Sequence, residues 1–436
     1  MHGLAILAAV FVVYAMAAGR LDRWSITAPM VFVLAGAILG PDGTGLLPAS
    51  LSSGTGRAIT ELTLALLLFA DASSVRVADI RQDASLPIRL LVIGLPLTIV
   101  FGTLLAHVLD PAAGWAAAAL IATILAPTDA ALGLAVVTNP QVPARIRRAL
   151  NLESGLNDGL ATPFVTLFLA VVTAEEHTTS GGWAAAATGQ LGLAVVAAVI
   201  VGLCGGWLVS VAKDRGWTSN LSEQLAVLGL AVLSYTGAVA IGGNGFVAAF
   251  IGGLLFGFTT KGALVTSVEF SETTGLFTSF LVWTLFGAFF VGHLLTSAVS
   301  WAAVIYAILS LTVVRIIPVA VSLTGAGLRG STLLFMGWFG PRGLASVVFT
   351  LVAVEELRVA GGVGSTLPEI ATWTILLSVL VHGFTAGPFT RRYGQAMNRL
   401  ENVPELKEAT QPRVRRRDLG GQPNSTQQGG PHRHAE

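Results

Sequence analysis

The stretch NLESGLNDG, residues 151–159, gathers two carboxylates, an amide and a hydroxyl and then runs into fifteen almost wholly apolar residues. On a helix, at 100° per residue, Glu153, Ser154, Asn157 and Asp158 fall within an arc of about 140°, with Ser154 and Asp158 one turn apart. One edge of that arc, Ser154 with Asp158, offers hard oxygens suited to a dehydrated monovalent cation. The other edge, Glu153, is placed to pair with a buried arginine. Gly155 and Gly159 lie beside them with GxxxG spacing, which lets another helix backbone approach closely. Helix capping beside Arg145–Arg148 would account for Glu153, but not for Asp158, which stands more than two turns from that loop.

Two further polar groups stand beside prolines inside apolar runs. Pro127, Thr128 and Asp129 occur in LAPTDAALG, and Gly340, Pro341, Arg342 and Gly343 in WFGPRGLAS. Proline removes a backbone donor and clashes with the preceding turn, so carbonyls and amides near it are freed to meet an ion or a charged side chain.

The elements that must carry these groups follow from composition. Of the 436 residues, 53% are hydrophobic and only 11% charged, against roughly 25% charged in soluble domains. Apolar stretches of about 17 to 25 residues, the length that crosses a hydrocarbon core, recur from end to end. The chain reads as an all-α polytopic membrane protein. Its net charge of +1 says nothing about partners, and no nucleic-acid partner is expected of such a membrane chain; its single cysteine, Cys204, excludes a disulfide framework or a cysteine metal site. The first apolar run has no positive residue before it and reads as a helix rather than a cleaved signal.

Thirteen spans are expected: 3–19, 25–40, 58–73, 87–108, 113–137, 146–173, 183–211, 222–241, 244–258, 274–294, 298–322, 331–354 and 370–390. Loops after odd-numbered spans carry Arg20, Arg23, Arg76, Arg81, Arg89, Arg145, Arg147, Arg148, Lys213, Arg215, Lys261 and Arg329, whereas loops after even-numbered spans carry only Arg57 and Arg358. That bias puts the N-terminus outside and the C-terminus in the cytoplasm of a plasma (inner) membrane protein. The membrane domain is expected over 1–394. The polar, basic remainder, 395–436, reads as a solvated disordered tail.

With those arginines and lysines assigned to loops, the acids well inside the spans are Asp71, Asp129, Glu153 and Asp158, with Glu61 and Glu223 nearer span ends, and Arg315 and Arg342 are the only basic residues left inside. A charge at mid-membrane costs about 2.5–3.5 kcal/mol on insertion scales, so these groups face the protein interior and are candidates for function. Spans 5 and 12 are an odd number apart and run in opposite directions. Two broken helices in corresponding positions of two halves point to inverted repeats and a secondary transporter. An organic-anion carrier would use Arg315 and Arg342 as ligands, but acids outnumber them; a cation channel would share the acids without counter-transporting protons. No catalytic motif appears, so the chain does not read as an enzyme, and no cofactor is implied.

PTDAALG, ESGLNDG and GPRG together resemble the sodium/proton exchanger superfamily, in its NhaP-like branch with an Asn-Asp pair. The resemblance covers about 1–395. It implies a homodimer in the lipid bilayer, with a six-helix core in which two broken helices cross near the midplane. By match of motif, Asp158 is the carboxylate that holds a monovalent cation (Na⁺, K⁺ or Li⁺) and a proton alternately. Thr128 and Asp129 are the crossing-point pair, Ser154 is a further oxygen ligand, and Asp71 in LLFADA is an additional acid. The resemblance also implies a buried Glu153–Arg342 ion pair supported by Asn157. Arg315 is then expected to face carbonyls, and His382 to be a packed, hydrogen-bonded histidine. The sequence departs from the family's common Thr-Asp-Pro order, since Pro127 precedes Thr128 and Ala130 follows Asp129, and Asp71 is shorter than the family's usual acid there. Competition of proton and cation for one carboxylate, with Glu153 neutralised, implies one-for-one electroneutral antiport.

Overall fold

The computed structural model describes residues 2–47, 54–75, 85–129, 132, 134–176, 183–359, 366–400 and 403–406. Every regular element among them is helical. In chain order these are α1 (His2–Arg23), α2 (Ala28–Leu39), α3 (Gly54–Ser73), α4 (Ser85–Leu109), α5 (Gly114–Ile124), α6 (Leu134–Thr138) and α7 (Ala144–Glu176). There follow α8 (Ala184–Asp214), α9 (Asn220–Ala240), α10 (Gly245–Thr260), α11 (Thr266–Thr296), α12 (Trp301–Ser322), α13 (Gly330–Trp338), α14 (Leu344–Val359) and α15 (Thr366–Met397).

Each expected apolar stretch coincides with helix, and spans 5 and 12 each fall into two pieces, α5 with α6 and α13 with α14. Among the described residues, eight helices are long and apolar enough to cross a membrane by length and composition, and α2 and α10 are shorter apolar helices. Large apolar side chains such as Met16, Val108, Leu208 and Trp301 lie exposed. A surface so apolar suits hydrocarbon rather than water, as expected of a multi-pass membrane protein.

Two groups of helices position the site. In one, α3 packs against α9, α10 and α11, and α2 against α11. Small residues bring these backbones together: Gly253 and Gly257 of α10 lie against the backbone of Phe69 and Ser73 on α3. In the other group, α5 packs on α4 and α7, and α12 on α13 and α15. The groups meet where α3 touches α7 and α14.

Regular structure continues past residue 394, where the composition turns polar. Residue 395 lies inside α15, and Pro404–Leu406 forms a short 3-10 turn whose Glu405 is fully buried. Glu405 Oε1 accepts hydrogen bonds from the Arg329 N–H (2.8 Å) and the Thr332 hydroxyl (2.9 Å), and Arg145 Nη1 donates to the Pro404 carbonyl (2.9 Å). A carboxylate at the N-terminus of α13 satisfies an orphan amide and favours the helix dipole, which draws this acidic segment onto the protein. The basic run RVRRR lies outside the described residues.

Candidate functional site

The breaks in spans 5 and 12 cross and complete each other's hydrogen bonding. Helix α5 ends at Ile124, three residues before Pro127. Its freed Ile124 carbonyl accepts from Ser346 Oγ of α14 (2.8 Å), and the Ala126 carbonyl accepts from Arg342 Nη1 (2.6 Å). The Asp129 N–H donates to the Pro341 carbonyl at 2.8 Å. In return, Asp129 Oδ2 accepts from the N–H of Leu344, the first residue of α14, at 3.3 Å. As residue numbers rise from 124 to 129 on one segment, their partners fall from 346 to 341 on the other, so the two segments run antiparallel. Asp129 thus caps the N-terminus of a half-helix, where amide donors and the helix dipole favour an anion. The approach is so close that a Cβ on Gly343 would collide with the Asp129 side chain. Glycine is required there for room.

Helix α7 delivers the ESGLNDG residues to the same place. Its 33 residues hold the motif well inside the helix, and Gly159 lies directly against the ring of Phe250 on α10. Thr128 Oγ1 and Ser154 Oγ are 3.1 Å apart, and Asn157 Nδ2 donates to Thr128 Oγ1 at 2.7 Å. Thr128, Ser154 and Asn157 are all buried, and Asn157 Oδ1 has no hydrogen-bond partner among the described residues. Asp158 is half-buried, next in sequence to Asn157 and one turn from Ser154. The structure therefore brings Thr128, Ser154 and Asn157 into direct contact beside Asp129 and Asp158. The cluster is rich in hard oxygens, the donor type that alkali cations take in place of water. Asp71 is buried in the last turn of α3, on a helix that packs against α7.

The ion pair is not the expected one. Glu153 pairs with Arg315, Nη1 to Oε1 at 2.6 Å, rather than with Arg342. Arg342, which is fully buried, instead donates to the carbonyls of Ala126, Pro127 (3.4 Å) and Ser310 (3.2 Å). The roles expected of the two arginines are exchanged, for a local reason. Arg342 belongs to the unwound segment and lies beside the carbonyls that the opposite break sets free. Arg315 projects from α12 past Gly340, where a Cβ would come within 2.5 Å of its Nε, and so reaches Glu153. Asn157 is also corrected: its amide supports Thr128 at the crossing, not the ion pair.

Sequence reasoning missed the small polar side chains that satisfy the breaks. Ser378 Oγ accepts the Arg342 N–H at 2.6 Å and lies 3.2 Å from His382 Nδ1, while His382 Nε2 is 2.9 Å from the Trp338 carbonyl. Nδ1 also lies 3.1 Å from the Ser378 carbonyl, so each ring nitrogen faces a carbonyl acceptor. His382 is packed and hydrogen-bonded, and it holds the last carbonyl of α13. The spacing of Ser378 and His382, one helical turn apart in an apolar helix, is the signal that was available.

Residues 6–392 match the family model described as "Sodium/hydrogen exchanger, transmembrane". A protein named K(+)/H(+) antiporter NhaP2 from Shewanella sp. (strain ANA-3) is 26% identical over 255 residues, which span 58% of this chain and 43% of that protein. A Na(+)/H(+) antiporter of Schizosaccharomyces pombe is 26% identical over 310 residues, 64% of this chain and 65% of the relative. Among solved structures, the sodium proton antiporter MjNhaP1 from Methanocaldococcus jannaschii is similar with a TM-score of 0.72 and 19% identity, over 90% of this chain and 99% of that one. That likeness extends to the fold.

Proposed function

The chain belongs to the sodium/hydrogen exchanger family, and from that premise we propose that it is a secondary antiporter exchanging one monovalent cation for one proton by alternating access. The observation that carries this reading is the crossing of two unwound segments at Asp129 and Thr128, against the face of α7 that bears Ser154, Asn157 and Asp158. In this reading Asp158 holds either the proton or the cation. Thr128, Ser154 and the Asn157 carbonyl oxygen replace part of the cation's water, and Asp129 and Asp71 add negative field. A buried carboxylate without a compensating charge is costly in the membrane, so only the loaded, neutralised site crosses the barrier cheaply. The named relatives include both K⁺ and Na⁺ antiporters, and the reading covers Na⁺, K⁺ and Li⁺. It places the protein in the plasma (inner) membrane as a homodimer, with the N-terminus outside and the C-terminus in the cytoplasm.

The test is direct. In everted vesicles carrying an imposed pH gradient, addition of Na⁺ or K⁺ is expected to dissipate the gradient, and vesicles without the protein are not. A cation leak with no proton counter-flow would instead identify a channel.

The close approach at the crossing gives a second expected result. Gly343→Ala would push Asp129 out of place and lower the initial exchange rate by roughly tenfold or more, since misplacing an active group by about 1 Å costs a rate of this order. Protein content in the membrane should match the parent. An unchanged rate would show that exchange does not need Asp129 in this position.

Stoichiometry is tested electrically. Glu153 is neutralised by Arg315, and Asn157 carries no charge, which leaves Asp158 as the exchanging carboxylate of α7. One charge moved across 100 mV is worth about 2.3 kcal/mol, so an electrogenic carrier would respond visibly to potential. Proteoliposomes with a fixed cation gradient should show the same proton flux with or without a valinomycin-clamped potential, with Na⁺ as the transported cation. A flux that rises several-fold with potential would require a second proton carrier, with Asp71 and Asp129 the first to examine.

A further inference from the structure

A cavity of about 760 Å³ lies between α3 and α11 on one side and α14 and α15 on the other, with Thr60, Phe289, Leu351 and Thr372 among its walls. At this cavity stands an ionic cluster that the exchange chemistry does not use. Arg57, in the first turn of α3, donates from Nε to Glu61 Oε1 at 2.7 Å and from Nη2 to Glu356 Oε1 of α14 at 2.7 Å. Tyr235 of α9 donates to the other Glu61 oxygen, also at 2.7 Å. The neighbouring acid, Glu355, is engaged by Arg358 at 2.9 Å, and so Glu356 is left to Arg57.

The geometry sorts these contacts into two kinds. Glu61, Arg57 and Tyr235 lie on α3 and α9, which pack together. The Arg57–Glu356 pair alone in this cluster reaches α14, the half-helix that continues directly from the crossing segment with Arg342 and Gly343. Both of its side chains are about two-fifths exposed, 38% and 41%. An ion pair so open to water is weak and easily remade. Glu61 keeps the arginine in place when Glu356 leaves. A further observation comes from the sequence: Arg57 and Arg358 are the only lysines or arginines in the loops read as facing outward, and the structure sets each of them against an acid at the outer end of α14.

We propose that Arg57 and Glu356 form an outer latch, closing the outward end of the groove between α3 and α14, and that this latch must part before the cation site opens to the outside. The inference rests on the antiport reading for its purpose, but not for its test. Release of the pair lets α14, and with it the crossing segment, move relative to α3. Its re-formation closes that side while the site faces the cytoplasm.

The chain's single cysteine makes the experiment clean, because Cys204→Ser leaves none. Thr60 lies in the cavity wall, one turn along α3 from Arg57, and is almost fully buried in the latched state. In a Cys204→Ser/Thr60→Cys background, a membrane-impermeant thiol reagent added from outside is expected to react slowly. Adding Glu356→Gln, or separately Arg57→Gln, should raise the labelling rate about two- to five-fold, the population shift that loss of a partly exposed ion pair supplies. Arg57→Lys, which keeps the charge, should stay near the background rate. Equal labelling in all four proteins, each monodisperse on gel filtration, would overturn the latch. In a second arm, a short thiol cross-linker joining Arg57→Cys to Glu356→Cys should arrest exchange until it is reduced, and undiminished exchange in fully joined protein would also overturn it. Faster labelling in a protein whose vesicles exchange no cation would leave the latch standing and remove the antiport reading.

Discussion

Asp158→Asn is expected to reduce cation/proton exchange to the level of empty vesicles while leaving the protein folded and inserted. The amide is nearly isosteric with the carboxylate but neither takes up a proton nor carries charge, and so it has nothing to alternate between two ligands. Asp158 is half-buried beside Asn157, whose amide fixes Thr128, and one turn from Ser154, whose hydroxyl meets Thr128. The replacement therefore changes the charge of the cluster without removing its hydrogen-bonded frame. The measurement is dissipation of a pH gradient by Na⁺ and K⁺ across a pH series, alongside gel filtration and thermal unfolding of the purified variant. Asp129→Asn should also be severe, because Asp129 Oδ2 accepts from the first amide of α14 and an amide in its place loses the charge that favours that helix end. Robust dissipation by Asp158→Asn at any pH would falsify the assignment of the exchanging carboxylate.

The largest stability effects belong to the Glu153–Arg315 pair. Both side chains are about 3% exposed and meet at 2.6 Å. Breaking a buried pair by removing one member leaves an uncompensated charge and costs about 3–5 kcal/mol. Glu153→Ala and Arg315→Ala should each lower the melting temperature markedly. The combination should cost less than the sum, since the second change removes the stranded charge left by the first. Arg342→Ala should be damaging for a different reason, because it deprives the carbonyls of Ala126, Pro127 and Ser310 of their donor. Its coupling to Glu153→Ala should accordingly be weaker than that of Arg315→Ala. Strictly additive shifts for Glu153 with Arg315, and strong coupling of Glu153 with Arg342, would reverse the pairing.

Much of the fold is legible in the sequence, because crossing a membrane is a local property. A run of about twenty apolar residues must be helical wherever lipid denies its amides another partner. The breaks were legible for a similar reason. Pro127 and Pro341 remove a backbone donor and disfavour regular helix, and the structure interrupts both spans beside them, between Ile124 and Leu134 and between Trp338 and Leu344, whereas Pro163, Pro318 and Pro388 are held inside helices. The helical spacing of Glu153, Ser154, Asn157 and Asp158 likewise placed four polar groups on one arc of a single helix before any neighbour was known. The acid at 405 was hidden: ENVPELKEA is polar, and nothing local says that Glu405 will be buried as a cap for α13.

What the sequence determined by itself, then, is everything that depends on neighbours along the chain: the apolar spans, their interruptions and the polar arc of α7. What only the tertiary structure decided is which distant groups meet. Two arginines were available to one glutamate, and both side chains are long. The choice fell to Arg315 because Gly340 leaves a gap for its guanidinium to pass, while the carbonyls freed at Ala126 and Pro127 engage Arg342. The same holds for Arg57, which reads as an ordinary loop arginine until α14 brings Glu356 within 2.7 Å. Hydropathy and helix periodicity act over a few turns, whereas an ion pair depends on side-chain paths through the packed interior, and those paths exist only once the helices have assembled.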